Sequence, residues 1–128
     1  MVVGVSAIII RDKKIFLTKR PDYFRDEPSS WCCPGGLQEE GETKEDTVIR
    51  EVMEEVGLKF IPIKILSTYQ WKDRDLYRYL GNVEEGEVKM QEEEVVEYGW
   101  FSYNEAKDLK FAFEYREVLE KLHKEGLI

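Results

Sequence analysis

Apolar residues along this chain recur with two periods, one of two and one close to 3.6, and the alternation between them divides the sequence into elements. Val3, Val5 and the run from Ala7 to Ile10 predict a strand over residues 3–11, ended by the polar stretch from Arg11 to Lys14. A second strand is predicted over residues 15–19, and Pro21 and Pro28 mark the loop after it. Residues 31–37, Trp-Cys-Cys-Pro-Gly-Gly-Leu, read as a short strand broken by Pro34 and the paired glycines Gly35 and Gly36. Further strands are predicted over residues 59–71, 76–83 and 98–102, and helices over 104–108 and 113–124. Glu84, Glu85 and Glu87 surround Gly86 in a hairpin or loop, and no repeat or low-complexity tract interrupts the pattern.

The clearest helix lies in the middle of the chain. Thr43 is a good N-cap with Asp46 three positions on, residues 44–56 contain neither Gly nor Pro, and Gly57 is a natural stop. At about 100° per residue, Ile49, Val52, Met53 and Val56 gather on one side of this helix. Glu51, Glu54 and Glu55 gather on nearly the opposite side, so one face is expected to pack and the other to carry charge. Carboxylates at this spacing repel by several tenths of a kcal/mol per pair, a penalty that a bound cation removes. Oxygen ligands on a rigid scaffold suit hard divalent ions, Mg2+ first and Mn2+ as a substitute.

Composition narrows the function. The 128 residues carry no internal linker, so a single domain spanning residues 1–128 is expected. The net charge of −8 argues against a nucleic-acid polymer as partner, while small anionic substrates remain compatible because metal ions supply positive charge locally. The opening apolar run is too short to span a membrane and lacks a signal-peptide pattern, so no membrane association and a cytoplasmic location are expected. Cys32 and Cys33 are adjacent, point to opposite faces of a strand, and are expected to be reduced thiols. The single histidine, His123, excludes a Ser-His-Asp triad and a His-ligated zinc site, and leaves a carboxylate or a metal-bound hydroxide as general base. Tyr69, Trp71, Tyr77 and Tyr79 alternate on predicted strands where an aromatic ring can stack a base.

The spacing around the helix is specific. Gly36, five residues, Glu42, seven residues, then Arg50-Glu51-Val52-Met53-Glu54-Glu55-Val56-Gly57-Leu58 fill every defined position of Gly-x5-Glu-x7-Arg-Glu-U-x-Glu-Glu-x-Gly-U, with U a bulky aliphatic. Random sequences of this composition match it with a probability of about one in 10^6. The segment resembles the signature box of the Nudix hydrolases.

That resemblance implies an α/β fold, a mixed β-sheet sandwiched between α-helices in an α/β/α sandwich. It implies hydrolysis of a phosphoanhydride bond in a nucleoside triphosphate or a nucleoside diphosphate linked to a group X, water attacking phosphorus beside a carboxylate-bound metal cluster. Glu51, Glu54 and Glu55 and the Gly35 carbonyl are the implied metal ligands. Glu51 and Glu54 are the implied catalytic carboxylates, Glu51 either ligating metal or taking the proton of the attacking water. Arg50 orients a neighbouring carboxylate, and Gly36, Glu42 and Gly57 are structural members of the box. A further ligand is implied a few residues before Trp100-Phe101, where Glu94 fits best by spacing and Glu93 and Glu97 are rivals. The substrate side of the resemblance points to Arg20, at the basic end of Leu17-Thr18-Lys19-Arg20, to Trp71, and to Phe113, which stands where relatives acting on oxidised purine nucleotides carry Asn or Asp. Two alternatives stay open: ADP-ribose or a nucleotide sugar as substrate, and a non-catalytic nucleotide-sensing module. A homodimer is among the implied assemblies.

Overall fold

Residues 2–128 are described by the computed structural model of the chain. In chain order the elements are β1 (Val2–Arg11), β2 (Lys14–Lys19), β3 (Trp31–Cys32), β4 (Gly35–Leu37), α1 (Lys44–Val56), β5 (Phe60–Trp71), β6 (Arg74–Val83), β7 (Glu97–Phe101), α2 (Tyr103–Ala106) and α3 (Tyr115–Lys124). Every expected element is present, in the expected order, as a mixed set of strands with helices, the α/β class that the resemblance implied. The break expected at Pro34 separates β3 from β4, and the two glycines lie inside β4. The acidic stretch after β6 is a loop, tied down by Glu84 N–H on the Lys59 carbonyl (3.0 Å) and Lys89 N–H on the Val56 carbonyl (2.8 Å). No helix among the described residues is long and apolar enough to cross a membrane.

The chain resolves into two compact units, the first made of residues up to Ile9 and Pro34–Lys89. There β1 runs parallel to β6, from Val2 opposite Arg74 to Ile9 opposite Gly81, and antiparallel to β4. β6 in turn pairs antiparallel with β5, and two register shifts, between Pro62 and Lys64 and between Ile65 and Ser67, bend the outer strand. α1 begins and ends where its residues dictate. The Thr43 and Asp46 side chains cap each other's backbone N–H groups, and Gly57 closes the helix in the left-handed conformation with φ 72°.

The packed face of α1 differs from the expected one. Val48, Val52 and Val56 are fully buried, yet Met53 is 47% exposed and Ile49 only half-buried. Buried Thr47 and Glu55 flank the valines instead. On the helical wheel Glu55 falls at the middle of this arc and Met53 well outside it, so the packed side is set by the three valines at i, i+4 and i+8. Each such valine contributes about 1.5 kcal/mol or more by burial, which outweighs a single methionine.

The second unit comprises Ile10–Cys33 and Met90–Ile128. Here the last two residues of β1 pair with β2, and β2 pairs antiparallel with β3 and with β7, from Ile15 opposite Phe101 to Lys19 opposite Glu97. Phe16 packs edge-on against Trp100 at 5.2 Å and Trp31 against Phe101 at 5.1 Å. α3 buries Tyr115, Val118, Leu119 and Leu122. It starts at 115 and not at the expected 113, because Phe113 (φ 48°) and Glu114 (φ 63°) are left-handed and cannot open a right-handed turn. Both cysteines are buried, and neither is in a disulfide among the described residues. His123 is exposed on α3, where it stacks on Tyr103 with centroids 3.7 Å apart.

Candidate active site on the box helix

The glycine pair is required by close approach. A Cβ on Gly35 would overlap the Val5 carbonyl oxygen and come within 2.8 Å of Ser6 Cα. A Cβ on Gly36 would meet the Glu51 carboxylate, with Oε1 at 2.5 Å and Oε2 at 2.6 Å. The backbone of β4 therefore lies directly against a carboxylate of α1. The Gly35 N–H donates to Glu55 Oε2 at 2.8 Å, and this bond explains why a carboxylate sits at the centre of the packed helix face, only 7% exposed. Buried carboxylates need such donors.

Arg50 organises the rest. Its Nε donates to Glu42 Oε2 at 2.7 Å and its Nη2 to Glu42 Oε1 at 3.0 Å, a two-pronged fork on one carboxylate. Nη1 donates to Glu51 Oε1 at 3.0 Å and to Glu54 Oε2 at 3.2 Å, and Nη2 reaches the Leu37 carbonyl at 3.3 Å. Glu42 also accepts from the Glu39 N–H at 2.9 Å, and the Thr47 hydroxyl lies 3.0 Å from its Oε1. One guanidinium thus ties the loop after β4 to the helix and holds two neighbouring carboxylates in place. The fork and the Glu39 N–H lower the Glu42 pKa from 4.5 to about 2, and Glu42 in turn raises that of Arg50.

The three carboxylates of the cluster are graded in exposure: Glu55 buried, Glu51 half-buried and Glu54 exposed. Glu51 and Glu55 each present an oxygen within 4.8 Å of the other. Two oxygens bound to one small octahedral ion lie roughly 3 to 4 Å apart, so the pair fits a shared divalent cation with little adjustment. Arg50 pairs with Glu42, Glu51 and Glu54, Glu55 lies on the Gly35 N–H, and carboxylates gathered in this way carry the sign of charge that recruits a cation. The donor set is all oxygen, which suits Mg2+ or Mn2+ and not a thiolate-seeking metal.

The first turn of α1 has an anchor that the sequence did not announce. The hydroxyl of buried Tyr79 donates to Glu45 Oε2 at 2.7 Å, which lowers the Glu45 pKa, while burial first and Glu45 second raise that of Tyr79. Tyr77 lies under Lys44 Nζ at 4.8 Å and Tyr69 under the Arg78 guanidinium at 4.8 Å. Trp71 closes β5 half-buried, with Lys72 Nζ 4.4 Å and the Arg74 guanidinium 5.5 Å from its ring centroid. Trp71 is thus an aromatic surface bracketed by cations.

In the second unit, Arg20 and Phe113 come together. The Arg20 guanidinium lies 4.7 Å from the Phe113 ring and 4.7 Å from the Phe24 ring, and donates to the backbone carbonyls of Asp26 and Glu27. Arg20 is built into the loop that follows β2, beyond the strand end expected from sequence. Glu94 stands exposed on the turn before β7, Glu93 is exposed beside it, and Glu97 is the first residue of β7, opposite Lys19.

With this geometry in place, comparison with known proteins fixes the class. The NUDIX domain family model matches residues 1–122. The chain belongs to the Nudix family of hydrolases. It is 38% identical over 108 residues to the NAD-capped RNA hydrolase NudC of Mannheimia succiniciproducens, covering 80% of this chain and 40% of that protein. It is 43% identical over 75 residues to the ADP-ribose pyrophosphatase of Methanocaldococcus jannaschii, covering 57% of this chain and 42% of that protein. The chain spans about two-fifths of the length of these curated relatives. Among solved structures, a MutT NUDIX hydrolase from Burkholderia pseudomallei superposes with a TM-score of 0.84 at 27% identity, covering 94% of this chain and 97% of that one.

Proposed function

We propose that the chain hydrolyses a phosphoanhydride bond of a nucleoside-diphosphate derivative or a nucleoside triphosphate with the help of Mg2+, Mn2+ serving as a substitute. The observation that carries this reading is the pairing of Glu51 and Glu55 oxygens within 4.8 Å, beside a Gly35 amide and under a guanidinium clamp. When bound, the metal neutralises diphosphate charge and makes a bound water acidic enough to act as nucleophile at neutral pH. The chain's own part is to hold the ligands. Glu55 is held by the Gly35 N–H and Glu51 by Arg50; Glu54, the most exposed of the three, and Glu51 are the proposed catalytic carboxylates, each able to ligate or to accept the proton of the attacking water. Glu94 is proposed as the ligand contributed by the acidic turn, on its spacing from Trp100-Phe101, with the Gly35 carbonyl as a backbone ligand. Arg20, Trp71 and Phe113 are proposed substrate contacts, and Trp71 with its flanking cations has the chemistry to stack an anionic nucleotide.

A substrate with two groups flanking a diphosphate is favoured over a simple triphosphate, since two relatives are named for NAD-capped RNA and for ADP-ribose. The net charge of −8 weighs against contact with many phosphates of a polymer, and it does not weigh against a single diphosphate linkage at a chain end. A cytoplasmic location and a homodimer belong to the same proposal.

The test is a panel of ADP-ribose, NAD, nucleotide sugars, dinucleoside polyphosphates and nucleoside triphosphates, with phosphate, pyrophosphate and nucleotide products measured with Mg2+ and with a chelator. Mg2+-dependent cleavage at a phosphoanhydride supports the reading. Tight metal-free binding of one compound with turnover of none would replace it with the nucleotide-sensing alternative.

A further inference from the structure

The loop between β2 and β3 has unusual internal order. Arg20 N–H donates to the Ser30 carbonyl at 2.9 Å, closing the loop at its base. The Arg20 side chain folds back over it, with Nη2 on the Asp26 carbonyl at 2.8 Å and Nε 3.2 Å from the Glu27 carbonyl. Glu27 (φ 50°) and Ser29 (φ 56°) are left-handed without being glycine, a conformation that persists only where surrounding bonds over-determine it. The Ser30 hydroxyl on the Glu27 carbonyl at 2.5 Å supplies another such bond.

From this core an aromatic chain runs outward. Phe24 lies on the Arg20 guanidinium at 4.7 Å, and Tyr23 meets Phe24 edge-on at 5.5 Å and 84°. Tyr23 is 65% exposed, so burial does not explain its position. Its hydroxyl does: it donates to the Glu93 carbonyl at 2.6 Å, bridging to a segment 70 residues away.

The Glu93 carbonyl belongs to the peptide unit whose N–H is that of Glu94. That N–H donates to the Gln91 carbonyl at 2.9 Å. Both polar ends of one planar unit are therefore held, the oxygen by Tyr23 and the N–H by Gln91, which fixes the plane from which the Glu94 side chain departs. On its far side the turn is anchored by buried Val95 and by Val96 N–H on the Lys19 carbonyl at 3.1 Å.

We propose that Tyr23 is a positioning residue for Glu94, held in place by the Arg20 and Phe24 stack, and that it sets the direction in which Glu94 presents its carboxylate. This rests on the reading that Glu94 contributes to the metal-binding set.

The experiment compares wild type, Tyr23→Phe, Glu94→Gln and the double variant, each as the full chain. Two readouts are independent of turnover: Mn2+ affinity by electron paramagnetic resonance, and hydrogen exchange of the Glu94 and Val95 amides in metal-free protein. Tyr23→Phe is expected to weaken Mn2+ binding and to speed exchange of these amides by about threefold to tenfold, the worth of one ordinary hydrogen bond, with the melting temperature lowered by no more than a few degrees. In the Glu94→Gln background it should weaken Mn2+ no further. If Glu94→Gln weakens Mn2+ and Tyr23→Phe does not, or if the two effects multiply, the positioning role is wrong and the Glu94 assignment stands. If Glu94→Gln leaves Mn2+ affinity unchanged, the Glu94 assignment itself fails and takes the positioning role with it.

Discussion

The Gly35 amide and the Glu55 carboxylate meet at 2.8 Å, and this bond joins the glycine strand β4 to α1 through a side chain only 7% exposed. The two glycines next to it have different neighbours, and their substitutions should fail differently. At Gly35 a Cβ collides with the backbone of β1, which cannot move aside, so Gly35→Ala is expected to destabilise by about 3 kcal/mol, at the upper end for overpacking. At Gly36 the obstacle is the end of the Glu51 side chain, which can swing away. Gly36→Ala should therefore melt within a few degrees of wild type while losing activity by about tenfold or more, as displaced groups around a metal do. Thermal melts and kcat/KM on the same preparations check this; equal melting temperatures for the two variants would refute it.

Glu54→Gln keeps size and hydrogen bonding but removes charge. With its side chain 52% exposed, the change should leave the fold intact. Turnover with saturating Mg2+ should fall by about 10^2 to 10^4, the worth of a positioned acid or base. Near wild-type Mg2+-dependent kcat in a folded variant would remove Glu54 from the mechanism.

Arg50→Lys tests the clamp. A lysine is a single point of charge and cannot fork onto Glu42 while also reaching Glu51 and Glu54. Loss of about 10- to 100-fold in Mg2+ affinity or activity is expected, measured as the Mg2+ concentration giving half-maximal rate. A lysine variant with unchanged metal dependence would show that the carboxylates need no fork.

The Glu42 pKa sets a pH signature. It is lowered in the folded chain, from 4.5 to about 2, so the unfolded chain binds the extra proton across that window. The stabilisation is fully present above pH 4.5 and is lost as the pH falls through about 2. Glu42→Gln should lower stability at neutral pH and flatten its decline between these limits. Urea unfolding midpoints from pH 7 down to 2 test this, and parallel curves for variant and wild type would contradict it.

How much of this was legible in advance depends on whether the cause was local. α1 matched its expected bounds because its signals, the Thr43 and Asp46 box and the Gly57 stop, act within a turn. Arg50 was expected to orient a neighbouring carboxylate and pairs with Glu51 and Glu54, and Glu42 was expected as a structural member of the box. Which side of α1 packs was not visible, because Met53 and Glu55 each contradict their ordinary preference. The Gly35 N–H that helps make burying Glu55 tolerable is supplied from another strand. The late start of α3 depends on two left-handed residues that no propensity suggests. The parallel match of β1 with β6 and the bond from Tyr23 to Glu93 join positions far apart in the chain, beyond any local pattern.

The irregularity of β5 bears on how the protein behaves when crowded. Among the described residues β5 pairs only with β6, and Ile61, Ile63 and Ile65 are all turned substantially to solvent along it. A straight strand of that kind invites a foreign strand to add on and seed insoluble material. Pro62 withholds a donor, and the two register shifts interrupt the regular repeat of free amides and carbonyls, so an incoming chain finds only short matched stretches. Straightening this strand, by replacing Pro62 or deleting a bulged residue, would leave the carboxylate site alone and shorten the shelf life of concentrated protein.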